Sequence, residues 1–263
     1  MDPLTVTTYN VRHAVLDEEP DTWERRQAGV AERLRAADPD VVGLQESAGD
    51  QQADVAAALP AYSWVGVADE PGTGEHNPIG YGPRLTLLDA GTTWLSESGS
   101  PGSVGWDAAY TRVLTEARFR DEATGLGFTA YNTHFDHVGT RARRESAGLL
   151  CERIDTQEEP VVVLGDLNTG TGRAAYDRLV NGDFRRPLAD ARHRAAAVDG
   201  PATTLTDFAE LREDRRLDHV LVTPEFDVLA VTVDDARFEG RFPSDHLPVV
   251  ADLAPPTDHG DGG

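Results

Sequence analysis

No lysine occurs among the 263 residues, and all 24 basic side chains are arginine. Against 46 Asp and Glu they leave a formal net charge of −22. Two origins fit this imbalance. One is adaptation to high salt, where a Debye length of a few ångströms relieves self-repulsion. The other is drift in a GC-rich genome, which accounts for arginine but not for so large an acidic excess; the halophilic reading is favoured. The acidity removes the broad basic footprint that nonspecific nucleic-acid binders carry, although it leaves a nucleic-acid active site open. Cys151 stands alone, so there is no internal disulfide and no cysteine-based zinc site; it is expected as a small buried residue on a helix. No apolar run approaches the roughly 18 residues that span a bilayer. The start, "MDPLTVTTYN", has neither a basic nor an apolar signal region, so a cytoplasmic protein is expected. A P-loop and a G-x-S-x-G elbow are both missing, which leaves nucleotide-driven phosphoryl transfer and serine hydrolysis without support.

What is present is a series of short strand patterns with a few helical ones. "LTVTTYNV" alternates and is rich in β-branched residues, as a first strand would be. Trp23, Gln27, Val30, Leu34 and Ala37 recur at helical spacing, with Asp21 as the expected N-cap and Pro39 as the stop. "DVVGLQES" is an apolar run with a polar end, and "DQQADVAAAL" fits a second helix. Residues 69–84 hold many turn formers and are expected as a long loop entering a strand. Strands follow in "LTLLDAGTTWLSE" and "TRVLTEARFRDEATGLGFTAYNTHF", with a hairpin turn near Thr124-Gly125. "TRARRESAGLLCERIDTQ" places Ala142, Ser146, Leu149, Leu150 and Ile154 on one helical face. "PVVVLGDLNTG" is a buried strand with an abrupt polar end, "RLDHVLVTPEFDVLAVTVDD" supplies two strands, and "PSDHLPVVADL" runs from a loop into the last. No repeat or linker divides the chain, so residues 1–254 are expected as one layered α/β domain and 255–263 as a disordered tail.

Several strands carry a charged or amide residue at one end: Asn10, Glu46, His134, Asp166 with Asn168, Asp218, and Asp245 with His246. One such residue is ordinarily a turn or helix cap. A whole set is different, because strand ends of one sheet region converge in space. Carboxylates and amides without cysteine suit a hard cation such as Mg2+ or Mn2+, and histidines beside them suit proton transfer and charge stabilisation on a phosphate. Within this set "THFDH" (133–137) reads by itself as a compact metal site, a histidine with its orienting partner, or a polar strand end.

Taken in order, "YNVR", "GLQES", "NTHFDH", "GDLNT", "RLDHVLV" and "SDHLPVV" resemble the endonuclease/exonuclease/phosphatase superfamily, whose members share the fold of pancreatic deoxyribonuclease. The resemblance runs from about residue 4 to 253, and "NPIGYGPRLTLLDAGTTWLSE" with "GWDAAYTRV" is similar to a largely uncharacterised prokaryotic branch. It implies a four-layered α/β sandwich, two packed and mainly antiparallel β-sheets flanked by helices, with the site at one edge. It also implies divalent-metal-dependent hydrolysis of phosphate esters with Mg2+ or Mn2+. Position by position, Glu46 is similar to the principal metal-binding carboxylate, with Asn10 beside it and Asp245 helping to hold the metal. Asp166 matches the aspartate that orients or deprotonates the attacking water, and Asn168 the residue that holds phosphate or water. His246 matches the catalytic histidine, Asp218 the carboxylate that fixes its tautomer, and His134 a phosphate donor or general acid.

Around this set, Arg112 and Tyr110 lie in a stretch that relatives use near substrate, so Arg112 is a candidate phosphate clamp. Asp136, two residues from His134, shares its side of an extended segment and either supports that histidine, meets substrate or caps a loop. His137 points the other way and is expected on the surface. His76 and Asn77 are candidates for the site rim, Trp94 and Trp106 for packing, and "RARRES" for a solvated helix start. The expected partner is a phosphate-ester substrate, a small molecule or nucleic acid, with no obligate protein partner and no membrane span. The favoured function is a phosphodiesterase or phosphatase acting on a compact soluble ester. A nuclease with the same site is the alternative, and a noncatalytic binding module on this fold is disfavoured because its core residues are all present.

Overall fold

The computed structural model describes residues 2–66, 75–212 and 215–254. Residues 67–74 of the expected long loop, the side chain of His76 and the tail at 255–263 lie outside the described residues. In chain order the strands are β1 (Leu4–Asn10), β2 (Val41–Gln45), β3 (Ser47–Ala48), β4 (Ser63–Val65), β5 (Glu75–His76), β6 (Ile79–Tyr81), β7 (Leu85–Trp94), β8 (Val113–Asp121), β9 (Gly127–His134), β10 (Val161–Asp166), β11 (Ala189–Asp190), β12 (Ala197–Asp199), β13 (Asp218–Val222), β14 (Asp227–Val233) and β15 (Val249–Ala254). The helices are α1 (Trp23–Ala37), α2 (Gly49–Ala58), α3 (Thr140–Ile154), α4 (Ala174–Asn181) and α5 (Ala191–Arg194).

Two sheets carry the molecule. The first runs β12-β14-β15-β1-β2-β6-β4 and the second β11-β13-β10-β9-β8-β7. Both are mixed and mainly antiparallel: β1–β2 and β12–β14 are the parallel pairs of the first sheet, β9–β10 that of the second. Successive strand side chains point to opposite faces, and that alternation sorts the residues into layers. Leu4 and Val6 of β1, Phe128 and Ala130 of β9, Val162 and Leu164 of β10, and Val220 and Val222 of β13 meet between the sheets. The opposite parity serves the helices. Tyr9, Val42 and Leu44 pack beneath Trp23, Val30, Leu34 and Val55 of α1 and α2, while Tyr131, Val161, Val163 and Leu221 pack beneath Ala147, Leu150, Ile154 and Leu179 of α3 and α4. The result is the expected four-layered sandwich.

Local readings needed correction in three places. Thr22, not Asp21, holds the N-cap position of α1, because Asp21 is taken by a two-pronged contact from Arg241 at 2.6 and 2.7 Å. The segment 69–84 is not one loop: β6 fills the edge between β2 and β4, and β5 pairs with β3. Between residues 172 and 200 the chain forms α4, β11, α5 and β12, of which the last three are too short to announce themselves by periodicity.

Just below the open end of the sandwich the apolar layer gives way to a buried polar bridge between the sheets. Asn132 of β9 donates from Nδ2 to the carbonyls of Leu44 and Pro78, each at 2.8 Å, and accepts from Gln45 Nε2, which also reaches Thr8 Oγ1 at 3.0 Å. Gly43 permits the approach, since a Cβ there would lie 2.7 Å from the Asn132 amide. Removing one partner from such a network strands the others without water. Asn132→Ala is therefore expected to cost about 2–4 kcal/mol in denaturant unfolding; a loss under about 1 kcal/mol would show that the bridge adds little.

Candidate active site

The same alternation that sorts the core brings the polar strand ends together. Asn10, His134, Asp166 and Asp218 each share the parity of their strand's inner residues, so all four project between the sheets at one end. In the second sheet the pairing register sets His134 opposite Asp166 and Asp166 opposite Asp218, a straight row across β9, β10 and β13. Glu46 breaks the pattern. One residue beyond β2 its parity would send it toward the helices, but its backbone takes φ +58°, in the left-handed region, and the carboxylate turns into the site. Asn168 also has a positive φ, +46°. Non-glycine residues held in this conformation store strain that their surroundings must offset.

Hydrogen bonds hold the carboxylates on one small volume. Asn10 Nδ2 donates to Glu46 Oε1 and to Asp166 Oδ2, both at 3.0 Å. The second Glu46 oxygen accepts from the backbone N–H of His13 at 3.0 Å, and Asp166 Oδ1 accepts from that of Asn168 at 2.9 Å. Burial pushes the Glu46 carboxyl upward, but His134, the Asn10 amide and the His13 N–H outweigh it and hold the group at about 2. Glu46, His134 and Asp166 present ligand atoms within 4.8 Å of one another, as do Asp166, Asp218 and His246. Two carboxylates sharing one amide, with no lysine in the chain to offset them, form a donor set suited to a hard divalent cation.

The two histidines are poised differently. His246 Nδ1 lies 2.9 Å from Asp218 Oδ2, and its Nε2 faces Asp166 Oδ2 at 3.7 Å. Burial opposes its charge, yet Asp218 and Asp166 prevail and raise its pKa well above the usual imidazole range. For Asp218, burial dominates and raises the carboxyl despite its partner. His134 instead meets a guanidinium: Arg112 Nη1 lies 2.8 Å from its Nδ1. A guanidinium only donates, so Nδ1 is the acceptor and Nε2 carries the ring proton. That Nε2 lies 3.5 Å from Asp166 Oδ2 and 3.8 Å from Glu46 Oε1. Asn168 Nδ2 donates to the Phe135 carbonyl at 2.8 Å and so lies beside the ring.

The outer candidates divide. Asp245 lies beside the cluster but is paired with Arg12 at 2.6 Å. Arg112 is buried against His134 rather than extended toward solvent, with its Nε 3.8 Å from Asp136 and its guanidinium over the Tyr110 ring. Asp136 does not hold His134. It accepts the N–H groups of Ala109, Tyr110, Val138 and Gly139 and so staples the 107–112 loop to the start of α3. Tyr110 is exposed and stacks on His137, their centroids 5.6 Å apart. Asn77 is fully buried, and its amide has no hydrogen-bond partner among the described residues. "THFDH" is thus not a metal cage: its residues serve the site, the loop and the surface in turn.

Two further residues support the site from outside the strand-end set. Arg12, in the quoted "YNVR", fixes Asp245 and has its own N–H bound by Asn10 Oδ1. Thr204 accepts the N–H groups of Leu217 and Asp218 through its hydroxyl and that of Leu247 through its carbonyl, locking the strands that bear Asp218 and His246. "YNVR" carried a signal for the first; nothing local marks the second.

A family model described as the Endonuclease/Exonuclease/phosphatase family matches residues 7–246. The chain superposes with a TM-score of 0.91 on an endonuclease/exonuclease/phosphatase from Bacteroides vulgatus, at 36% identity over 97% of this chain and 100% of that one. A mannosyl-6-phosphatase from Bacteroides thetaiotaomicron gives 0.88 at 32% identity, covering 95% and 99%. The human Nocturnin catalytic domain gives 0.77 at 19% identity over 96% and 93%, a likeness of fold. No curated protein matches the chain.

Proposed function

We propose, because the chain belongs to the Endonuclease/Exonuclease/phosphatase family, that it hydrolyses a phosphate ester with Mg2+ or Mn2+ by in-line attack of water. The observation that carries this reading is the convergence of Glu46, His134, Asp166, Asp218 and His246 at one end of the sandwich. Glu46, with Asn10 beside it and Asp245 at the rim, would hold the cation, which when bound polarises a phosphoryl oxygen and offsets developing charge.

The other steps fall to the chain's own side chains. Asp166, its Oδ1 tied to the Asn168 N–H, presents Oδ2 to a water and takes its proton as the bond to phosphorus forms; the ester P–O bond opposite breaks, and the leaving alcohol oxygen takes a proton from solvent. His246, kept cationic by Asp218, stabilises charge on the phosphoryl group. His134 offers its Nε2 proton to a phosphoryl oxygen, with Arg112 fixing the tautomer. The likeness to a mannosyl-6-phosphatase over nearly the full length favours a sugar phosphomonoester as substrate.

The test is a hydrolysis panel in molar KCl with Mg2+ or Mn2+. It sets hexose 6-phosphates and mono- and bis-aryl phosphates against single-stranded and duplex DNA, RNA and phospholipid headgroups. Turnover of monoesters that chelation abolishes is expected; no turnover of anything with either metal would sink the reading. Removing a principal ligand should cost at least the roughly 10–100-fold in affinity seen for second-layer partners. Glu46→Ala is accordingly expected to weaken Mn2+ binding by about that factor or more in calorimetry. Unaltered Mn2+ affinity would place the cation elsewhere.

A further inference from the structure

Beside the site, at the same end of the second sheet, lies a cleft of about 850 Å³. Asn168 and Thr169 form its wall on the site side. Beyond them it is lined by Arg143, Arg173, Arg192, Arg215, Arg216 and His193, and among the described residues no Asp or Glu lines it. In a chain with 46 acidic residues and a net charge of −22, a pocket lined by five guanidinium groups and, among the described residues, by no carboxylate runs against the composition.

The fold assembles it from separate segments: the start of α3, the loop leaving β10, α4, α5 and the segment entering β13. Two of those segments also carry the proposed chemistry, since Asn168 follows Asp166 by two residues and Leu217 precedes Asp218. Of the five arginines, Arg216 is neutralised by Asp190 in a two-pronged contact at 3.0 and 2.7 Å. Arg143 spends one N–H on the Asp136 carbonyl. Among the described residues, Arg143, Arg173, Arg192 and Arg215 have no carboxylate partner, whereas most arginines elsewhere, such as Arg84, Arg118, Arg153 and Arg241, are paired. Arg192 Nη1 is buried with no hydrogen-bond acceptor among the described residues, and burial and the adjacent Arg216 act against its charge more than Asp190 supports it. Guanidinium groups gathered around one cavity without a carboxylate bridge among the described residues repel one another, and an anion seated among them relieves that repulsion with charge-assisted hydrogen bonds. The α4 N-terminus opens onto the same space, its N-cap position held by Arg173 without a side-chain cap, so its free N–H groups add to the positive field.

The geometry points to this cleft as the seat of a second anionic group on the substrate: the protein acts on a small phosphate ester that bears another phosphate, such as a sugar bisphosphate. This rests on the phosphoesterase reading and narrows its substrate. A small molecule is favoured over a nucleic-acid strand because the cleft has the volume of a small-ligand pocket, and the chain's net charge of −22 repels a long polyanion.

Two measurements on the full chain test it. In the first, inorganic pyrophosphate is titrated into metal-free protein at about 0.1 M salt, where surface attraction is largely screened. Binding is expected, weakened about tenfold or more in Arg173→Gln/Arg215→Gln and unchanged in Arg35→Gln/Arg120→Gln, whose arginines lie outside the cleft. In the second, kcat/KM for a hexose 1,6-bisphosphate is divided by that for the hexose 6-phosphate. The cleft variant should lower this ratio about tenfold, through KM rather than kcat. Equal pyrophosphate binding by wild type and variant, or an unmoved ratio while both esters turn over, would overturn the second site and leave the phosphoesterase reading intact. A variant that loses cleavage of a dinucleotide but not the bisphosphate preference would overturn the small-molecule assignment. Pyrophosphate binding without turnover of any ester would overturn both the substrate assignment and the reading beneath it.

Discussion

Asp166→Asn is expected to lower kcat by about 10³-fold with little change in KM. The substitution keeps the shape of the side chain and removes the one property the mechanism needs, a negative oxygen facing the water. Its Oδ1 accepts from the Asn168 N–H and its Oδ2 from Asn10 Nδ2. An amide serves one of these with its oxygen and turns a donor toward the other, at a cost of about 1 kcal/mol. Asp166 also crowds the buried Asp218 carboxyl, and losing its charge offsets part of that cost. The melting temperature should therefore move by only a few degrees, roughly what 1 kcal/mol shifts in a chain of this size. A variant within tenfold of wild type in kcat would show that the water is activated elsewhere. One that unfolds would be replaced by Asp166→Glu, in which the retained carboxylate restores part of the rate.

The His246–Asp218 pair is the second large effect. His246→Ala is expected to cost about 10³-fold in kcat, and Asp218→Asn a comparable amount because an amide no longer secures the Nδ1 proton. Since the two act as one unit, the double variant should be no worse than the worse single variant, a strong departure from additivity. The pH profile separates this from a merely structural role. Asp218 and Asp166 hold the His246 pKa well above its ordinary value, so the cation persists through neutral pH and is lost only as pH rises through the raised value. Removing the Asp218 charge lowers that value, and the alkaline limb of kcat should move toward the ordinary imidazole pKa of about 6.5. A limb that stays in place in Asp218→Asn would assign it to another group.

How much of this could be read from the chain depends on the distance over which each feature is specified. Strand polarity is local. The parity of Asn10, His134, Asp166 and Asp218 relative to the apolar residues before them already places all four on the inner faces, because backbone sterics impose a two-residue period wherever a strand forms. The helical faces of α1 and α3 are local in the same sense, and the ordered motifs identified the family. The short elements between α4 and β12 were missed for the matching reason. Two to four residues span no more than about one and a half periods, too few for a pattern to repeat, and tertiary pairing makes them regular.

The site's working geometry lies beyond that range. The row His134–Asp166–Asp218 exists only through the register of β9, β10 and β13, whose alignment is set by packing between sheets and by loops the sequence does not measure. Glu46 enters through a left-handed backbone turn that no propensity announces. Arg112, a candidate clamp for substrate, packs against His134, and Asp136 gathers four N–H groups. The arginine cleft draws on segments more than 70 residues apart, so no window of the sequence contains it. By itself, the sequence determined which residue types stand at the strand ends and which face each takes, since those follow from the backbone of a single strand. Only the tertiary structure decided which of them meet, at what separation and beside what charge, because those depend on register and packing between strands that the chain brings together from afar.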